Sequence, residues 1–437
     1  MKFIITLFYL LLLYAPFQGC YSAKPRAAGK SASADQSSSI VLPVTGNVYP
    51  TGYYHATVNI GNPPKSYFLD IDTGSDLTWL QCDAPCTKCT PAPHKPYKPK
   101  KNLVACMDPL CAYVHSPETH HCQSPKEQCD YTVEYADDGS SIGVLVKDSF
   151  SLQYINGTIA RSLLAFGCGY NQEFPESMVP PYTDGILGLG LGKASILHQL
   201  QELGVTRNVV GHCLSAQGGG YLFFGDELVP SSGIVWTSMS TTDIEKHYSL
   251  GSAELYLGGK TSGLKGLPVV FDSGSTYTYF SEEAYNALYS MLMKDMKGKK
   301  VNIANEDKSL PVCWKGSKPF ESIYDVKNLF EPIILKFKKS KFQLEPEAYL
   351  IISKNGNACL GILNGSEVGL GNINVIGDIS FQDKIIIYDN EKEQIGWAPA
   401  NCNRLPNIDD DEDPENASLC KPYGSNLDIL QPYCAAK

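Results

Sequence analysis

From Val48 onward, short runs of β-branched and aromatic residues alternate with turns rich in Gly, Pro, Asn and Asp. The segments YHATVNI, GYLFFGD and KIIIYDNEKEQIGWA have this form, and YTVEYADDGSSIGVLV is typical of a strand, a turn and a second strand. Helical periodicity is limited to SILHQLQEL near Ser195 and SEEAYNALYSMLMKDM from Ser281. The pattern therefore predicts a mainly β protein.

One part of this pattern occurs twice. FLDIDTGSDLTW, which ends at Trp79, matches PVVFDSGSTYTYF, which ends at Phe280: an apolar run, then Asp-Ser/Thr-Gly-Ser, then alternating polar and bulky residues. At similar distances downstream lie GILGLG around Gly188 and VIGD around Gly377. The same order and similar spacing predict two homologous lobes.

Each copy carries an aspartate, Asp72 or Asp272, at the end of an apolar strand. If the lobes meet around a pseudo-twofold axis, the two carboxylates face one another and share a proton, because both cannot ionise cheaply. The ionised partner can then deprotonate a water while the protonated partner polarises a carbonyl. This chemistry hydrolyses peptides, favours acidic pH, and needs neither a metal nor a covalent intermediate.

Small residues beside the aspartates suit this arrangement. The glycines let the backbone turn sharply and approach closely. The hydroxyl residues directly after the aspartates can brace the two loops against each other. The hydroxyl residues directly after the glycines can hydrogen-bond to the carboxylates. The expected supporting residues are Thr73, Gly74, Ser75, Ser273, Gly274 and Ser275.

These motifs resemble the pepsin-like aspartic proteases, and among them the plant nucellin-like and nepenthesin-type branch, over nearly all of residues 53–401. The resemblance implies a bilobal fold of two homologous β-barrel lobes with a central cleft for an extended polypeptide substrate. It implies a catalytic pair, Asp72 and Asp272, and a flap hairpin over residues 131–146. It also implies that Tyr135 is the flap tyrosine and that Trp79 supports it by a hydrogen bond. No cofactor or metal is implied.

Seven of the 15 cysteines lie between Cys82 and Cys129. Cys20 lies at the predicted signal junction and is expected to leave with the signal. The other cysteines are then even in number, which favours disulfides in an oxidising compartment. Zinc is the alternative there, because His120 and His121 precede Cys122. The resemblance implies the bridges Cys168–Cys213 and Cys313–Cys359. Pairing stays open within the insert, whose cysteines are Cys82, Cys86, Cys89, Cys106, Cys111, Cys122 and Cys129.

The predicted organisation begins with a secretory signal at residues 1–23 and a short leader or pro-segment at 24–46. An N-terminal lobe with the Cys-rich insert 82–129 follows at 47–230, a C-terminal lobe at 231–405, and an acidic tail at 406–437. The sequons of Asn156, Asn364 and Asn416 are candidate glycosylation sites. We expect an extracellular (apoplastic) or vacuolar monomer with no membrane span in the mature chain. The net charge of −10 argues against a nucleic-acid partner.

Two other functions fit parts of the sequence. A serine protease would use Ser273 as nucleophile and His212 as base, but this leaves Asp72 and the repeat unexplained. A catalytically silent relative that acts as a binding, inhibitor or storage protein would keep the fold without the activity.

Asp70 departs from the family pattern, which usually has an apolar residue there. It lies two residues before Asp72 and so points to the same strand face. One hypothesis is that its charge raises the pKa of the catalytic pair and shifts activity to less acidic pH. The alternative is a carboxylate bonded to a neighbouring loop.

Overall fold

The computed structural model describes residues 39–85, 89–116, 121–174, 180–240 and 247–406, and most of its elements are short strands. The first half contains β1 (Ile40–Asn47), β2 (Tyr53–Ile60), β3 (Lys65–Asp72), β4 (Trp79–Gln81), β5 (Asp130–Glu134), β6 (Ser140–Gln153), β7 (Ile159–Glu173), β8 (Gly185–Gly188), β9 (Val209–Leu214) and β10 (Gly220–Phe224).

The second half begins with β11 (Val235–Ser238), β12 (Ser249–Leu257), β13 (Lys260–Thr261), β14 (Leu267–Phe271), β15 (Thr278–Phe280), β16 (Asn302–Ile303), β17 (Cys313–Lys315) and β18 (Ile333–Lys336). It ends with β19 (Lys341–Leu344), β20 (Leu350–Ile352), β21 (Ala358–Leu360), β22 (Ile362–Asn364), β23 (Asn374–Ile376), β24 (Lys384–Asp389) and β25 (Gln394–Pro399). The α-helices are α1 (Pro109–His115), α2 (Ile196–Glu202), α3 (Glu282–Asp295) and α4 (Asp378–Phe381).

The two helices predicted near Ser195 and Ser281 are confirmed as α2 and α3. The Ser195 side chain accepts a hydrogen bond from the backbone N–H of His198 and so caps α2. Glu282 and Glu283 lie in the first turn of α3, where carboxylates interact favourably with the helix dipole. Helix α1 is short and follows Asp108, whose side chain caps it, and the sequence pattern did not predict it. In the part of the chain that is described, no helix is long and apolar enough to cross a membrane.

Three sheets contain the strands. The largest has thirteen strands in the order β11-β25-β24-β9-β10-β1-β2-β3-β8-β4-β7-β6-β5. The others have eight strands, on the path β19-β18-β12-β14-β23-β15-β22 with β13 beside β12, and four strands in the order β16-β17-β21-β20. Because β24 pairs with β9, the last strands of the C-terminal lobe extend the sheet of the N-terminal lobe. The predicted mainly β, bilobal pepsin-like fold is confirmed.

The first strand corrects a predicted boundary. Residues 40–46, predicted to belong to a leader, form most of β1, which pairs with β10 on one side and β2 on the other. Its alternate residues Ile40, Leu42 and Val44 are at most 5% exposed. Their burial explains the pairing, because a strand with one apolar face gains stability by covering it. The predicted signal, residues 24–38 of the leader, and residues 407–437 of the tail lie outside the described residues, as do Cys20, Cys86, His120 and Asn416.

Candidate active site

The two lobes build equivalent turns at the ends of β3 and β14. Asp72 is the last residue of β3, and Asp272 directly follows β14. Strand β3 pairs in parallel with β8, which carries Gly188, and β14 pairs in parallel with β23, which ends just before Gly377. A Cβ on either glycine would lie 2.5 Å or less from backbone atoms of the turn beside it, so only glycine fits. The predicted internal repeat is therefore two copies of one local structure.

Thr73 and Ser273 join the two turns. The Thr73 N–H donates to Ser273 Oγ at 3.1 Å, and the Ser273 N–H donates to Thr73 Oγ1 at 2.9 Å. Each hydroxyl then donates to the strand of the other lobe, Thr73 Oγ1 to Phe271 O at 3.3 Å and Ser273 Oγ to Ile71 O at 3.0 Å. Both side chains are at most 1% exposed. These reciprocal bonds fix the two aspartates relative to each other.

Each aspartate is also held by its own turn. Asp72 Oδ1 accepts hydrogen bonds from the Gly74 N–H at 2.8 Å and the Ser75 N–H at 3.2 Å, and Ser75 Oγ donates to Asp72 Oδ2. Asp272 Oδ1 accepts from the Gly274 N–H at 2.9 Å, and Asp272 Oδ2 accepts from Ser275 Oγ at 2.6 Å. All six supporting residues predicted from the sequence therefore lie at this site.

The two carboxyl groups are close together. A Cβ on Gly74 would lie 2.6 Å from Asp272 Oδ1, and one on Gly274 would lie 2.5 Å from Asp72 Oδ1. Each turn thus passes against the carboxyl of the other lobe, which requires glycine at both positions. Burial raises the pKa of Asp72, and the charge of Asp272 raises it further. Such a pair holds one proton at acidic pH, because two adjacent carboxylates repel each other.

Tyr135 lies in the turn of the β5–β6 hairpin, and Trp79, the first residue of β4, is hydrogen-bonded to it. The Trp79 Nε1–H donates a 2.7 Å hydrogen bond to the Tyr135 hydroxyl. Tyr135 begins the β5–β6 turn, where its N–H donates to Gly139 O at 2.8 Å. Burial raises the pKa of Tyr135, and so does the charge of Asp72, which places the phenol within the electric field of the dyad. A Cβ on Gly369 would lie 3.2 Å from Ala136 O, so the hairpin tip reaches the C-terminal lobe.

The disulfides confirm one predicted pair and correct another. Cys313 is bonded to Cys359, as the resemblance implied. The prediction of Cys168–Cys213 was wrong: Cys168 is bonded to Cys82, and Cys213 to Cys402. The parallel pairing of β4 with β7 brings Cys82, just past the end of β4, beside Cys168. Cys213 lies on β9 opposite Ile385 of β24, and the β24–β25 hairpin leads on to Cys402.

Within the insert, Cys106 is bonded to Cys122 and Cys111 to Cys129, and Cys89 is disulfide-bonded as well. The zinc alternative is wrong for Cys122, whose sulfur is used in a disulfide. Two candidate glycosylation sites lie in the described part. Asn156 is exposed in the β6–β7 turn, and Asn364 is half-buried, with its side chain accepting a hydrogen bond from the Ser366 N–H.

The serine-protease alternative does not fit the geometry. Ser273 Oγ is already engaged with Thr73 N and Ile71 O. His212 lies in the core on β9, where its Nε2 is 3.3 Å from the Tyr388 hydroxyl, and burial lowers its pKa to about 3. A histidine held in this way cannot serve Ser273 as a base.

Two further aspartates lie within the electric field of the dyad. Burial raises the pKa of Asp70 well above its usual value, and the charges of Asp72 and Asp272 raise it further. A raised pKa favours the neutral form of Asp70, and the hypothesis that its charge acts on the dyad stays a prediction. Among the described residues no side chain is hydrogen-bonded to the Asp70 carboxyl, and the hydrogen bond that lowers its pKa comes from the backbone of Ile71, so the loop alternative gains no support.

Sequence reasoning missed Asp378. Its N–H donates to Ser275 O at 2.8 Å, and its side chain is 1% exposed. Burial raises the pKa of Asp378 well above its usual value, and the charges of Asp70, Asp272 and Asp72 add to this. The signal was present in VIGD, where an acidic residue directly follows a buried apolar run, as it does at Asp72.

Comparisons with known proteins agree with this fold. Two family models match, xylanase inhibitor N-terminal over residues 54–226 and xylanase inhibitor C-terminal over residues 255–399. An aspartic proteinase of Oryza sativa subsp. japonica is 46% identical over 385 residues, which cover 85% of this chain and 93% of that protein.

Solved structures share the fold at low sequence identity. The soybean basic 7S globulin aligns with a TM-score of 0.65 and 14% identity, over 85% of this chain and 100% of that one. An aspartic proteinase from Irpex lacteus aligns with a TM-score of 0.58 and 17% identity, over 83% of this chain and 98% of that one.

The fold and the paired turns define a bilobal pepsin-fold protein with an aspartate dyad. The chain belongs to the pepsin-fold aspartic proteinase family, with both halves matched by the xylanase-inhibitor models.

Proposed function

We propose that this protein is an aspartic endopeptidase that hydrolyses extended polypeptides at acidic pH. The observation that supports this most is the dyad itself: each lobe supplies a carboxyl, a glycine N–H and a serine hydroxyl in equivalent positions. A relative that had lost catalysis would have no need to keep both halves of this arrangement.

The proposed mechanism uses the one proton that the pair shares. The ionised carboxylate takes a proton from a water held between Asp72 and Asp272, and this water attacks the peptide carbonyl. The protonated carboxyl gives its proton to the carbonyl oxygen as negative charge develops there. The C–N bond then breaks as the carboxyl that took the water's proton passes it to the amine nitrogen, and a hydroxyl of the intermediate returns a proton to the other carboxylate. Tyr135 lies at the turn of the hairpin that would close over the substrate, and closure would exclude bulk water from the reaction.

The finer assignments are also part of this proposal. We place the protein in the nucellin-like and nepenthesin-type branch, as a monomer that passes through the secretory pathway to the apoplast or the vacuole. The bridges Cys82–Cys168, Cys106–Cys122, Cys111–Cys129, Cys213–Cys402 and Cys313–Cys359 support an oxidising compartment.

The proposal is tested by incubating the purified protein with a denatured protein substrate between about pH 3 and 6, with and without pepstatin. Asp72→Asn and Asp272→Asn should each lower kcat/KM by about 100-fold or more, because each removes half of the acid–base pair. Glu306→Gln, which removes an exposed carboxylate, is the matched control. Absence of cleavage by the wild-type protein would favour the silent binding or storage alternative, and activity that survives Asp72→Asn would exclude the dyad mechanism.

A further inference from the structure

Asp70 lies on the open face of the sheet that leads to the dyad. On β2, Tyr53, His55 and Thr57 are half-exposed, whereas the residues between them are buried. His55 lies opposite Asp70 in the β2–β3 ladder, so the two side chains share this face. Asp72 is on the same face two residues further along β3, about 7 Å away along the strand. Asp70 is 9% exposed and Asp72 is 6% exposed, so the two carboxyls are similarly accessible.

The acidic groups here have no positive partner. In the described part of the chain, no ion pair involves Asp70, Asp72, Asp272 or Asp378. His55 does not supply a charge, because burial lowers its pKa. The hydrogen bond that affects Asp70 comes from the neighbouring backbone N–H of Ile71.

Asp378 is a further buried carboxyl whose pKa responds to these groups. Among the described residues, its buried Oδ1 atom has no hydrogen-bond partner. Of the charges that raise its pKa, that of Asp70 has the largest effect. An unsatisfied buried carboxyl oxygen is costly.

We propose that Asp70 forms a binding subsite for a cationic side chain of the substrate, Lys or Arg, close to the scissile bond. This rests on the proposed endopeptidase function and names its substrate class. Asp70 is here a specificity-determining residue that contacts the substrate and takes no part in the hydrolytic steps.

The surroundings of Asp70 suit a long cationic side chain. The ring of His55 lies 4.7 Å from that of Phe68 and 6.0 Å from that of Tyr53, centroid to centroid. An aliphatic stem can pack along these rings while the charged end reaches Asp70. An extended substrate has nearly the same residue spacing as β3, so a side chain near the reacting carbonyl can reach a carboxyl about 7 Å from Asp72.

A bound cation would change the protonation of Asp70. In the free protein, burial raises the pKa of Asp70, and the charges of Asp72 and Asp272 raise it further, which favours its protonated form. An ammonium or guanidinium group at salt-bridge distance favours the charged carboxylate, so the proton leaves as the cation enters. The resulting pair is charge-assisted and shielded from water, which makes it selective.

The test uses peptides that are identical except at one position, which carries Lys, Arg, norleucine or Glu and is moved from three residues before the scissile bond to two after it. The wild-type protein should favour Lys and Arg over norleucine by about tenfold or more in kcat/KM at one position. In Asp70→Asn and Asp70→Leu this ratio should fall towards one. Glu306→Gln should keep the wild-type ratio, and circular dichroism checks that each variant is folded.

The outcomes separate this inference from the proposed function. Cleavage of the norleucine peptide with no preference for Lys at any position would overturn the subsite and keep the endopeptidase. A preference that survives both Asp70 substitutions would overturn it as well. If no peptide is cleaved, calorimetric binding decides: tighter binding of the Lys peptide than of the norleucine peptide, lost in Asp70→Asn, supports the subsite, and equal or absent binding overturns it.

Discussion

The Thr73 N–H and the Ser273 N–H each donate to the hydroxyl of the other residue, at 3.1 and 2.9 Å, across the junction of the two lobes. These two residues are 200 positions apart. Each side chain acts as both acceptor and donor, so the loss of one leaves buried backbone groups of the other lobe without a partner.

Thr73→Val should therefore lower the free energy of unfolding by about 1–3 kcal/mol, because it leaves the Ser273 N–H buried without an acceptor. The double variant Thr73→Val/Ser273→Ala should lose less unfolding free energy than the two single variants lose together, because both substitutions disrupt the same hydrogen-bond network. Denaturant unfolding of the four proteins measures this. Thr132→Val, on an exposed position of β5, is the control and should change little. Additive losses would show that the two residues are not coupled.

The pH dependence of activity should follow the raised pKa of Asp72. The active pair holds one proton, and activity is lost when pH rises through the pKa at which that proton leaves. Because burial and Asp272 raise this pKa, the alkaline limb of kcat/KM should lie above the usual carboxyl value of 3.8. The hydrogen bond from Ser75 lowers the pKa of Asp72, so Ser75→Ala should move the limb to higher pH.

Activity measured from about pH 2.5 to 8 checks this prediction. A limb that moves to lower pH in Ser75→Ala would contradict the assigned role of the hydroxyl. On a substrate without Lys or Arg, Asp70→Leu should leave the limb in place, because burial favours the neutral form of Asp70. A clear shift in that variant would support the hypothesis that Asp70 acts as a charge.

The hydrogen bond between Trp79 and Tyr135 should matter for catalysis. Tyr135→Phe removes the acceptor of the buried indole N–H and should lower kcat/KM by about tenfold, equivalent to roughly 1.4 kcal/mol. Tyr131→Phe is the matched control, because its hydroxyl lies 3.0 Å from Ser141 Oγ in the same hairpin. It should reduce stability without a similar loss of activity. Equal losses of activity in both variants would assign the effect to hairpin stability.

The bridge between Cys213 and Cys402 should stabilise the chain more than the short bridge between Cys106 and Cys122. The first spans 189 residues and the second spans 16, and closing a longer loop removes more entropy from the unfolded chain. Replacing both cysteines by serine should lower the free energy of unfolding by about 5 kcal/mol for the long bridge and by about 3 kcal/mol for the short one. Thermal and denaturant unfolding under non-reducing conditions compare them. A larger loss for the short bridge would contradict this order.

The sequence by itself was sufficient to predict the repeat, the dyad and its supporting residues. Each half of the dyad is a local structure, in which an apolar strand runs into a tight turn whose glycine and hydroxyls bind the aspartate a few residues before them. Because these residues are close in the chain, they form a short motif that can be recognised in the sequence at both Asp72 and Asp272. The helices near Ser195 and Ser281 were predictable for the same reason, since helical contacts are also local.

Only the tertiary structure decided which distant residues meet. Cys168 and Cys213 belong to the same lobe, but strand pairing brings Cys168 to Cys82 and Cys213 to Cys402. The position of Asp378 beside Ser275, and of β1 inside the sheet, likewise depends on contacts between distant parts of the chain. Such contacts are fixed by the packing of the whole chain, and no short stretch of sequence records them.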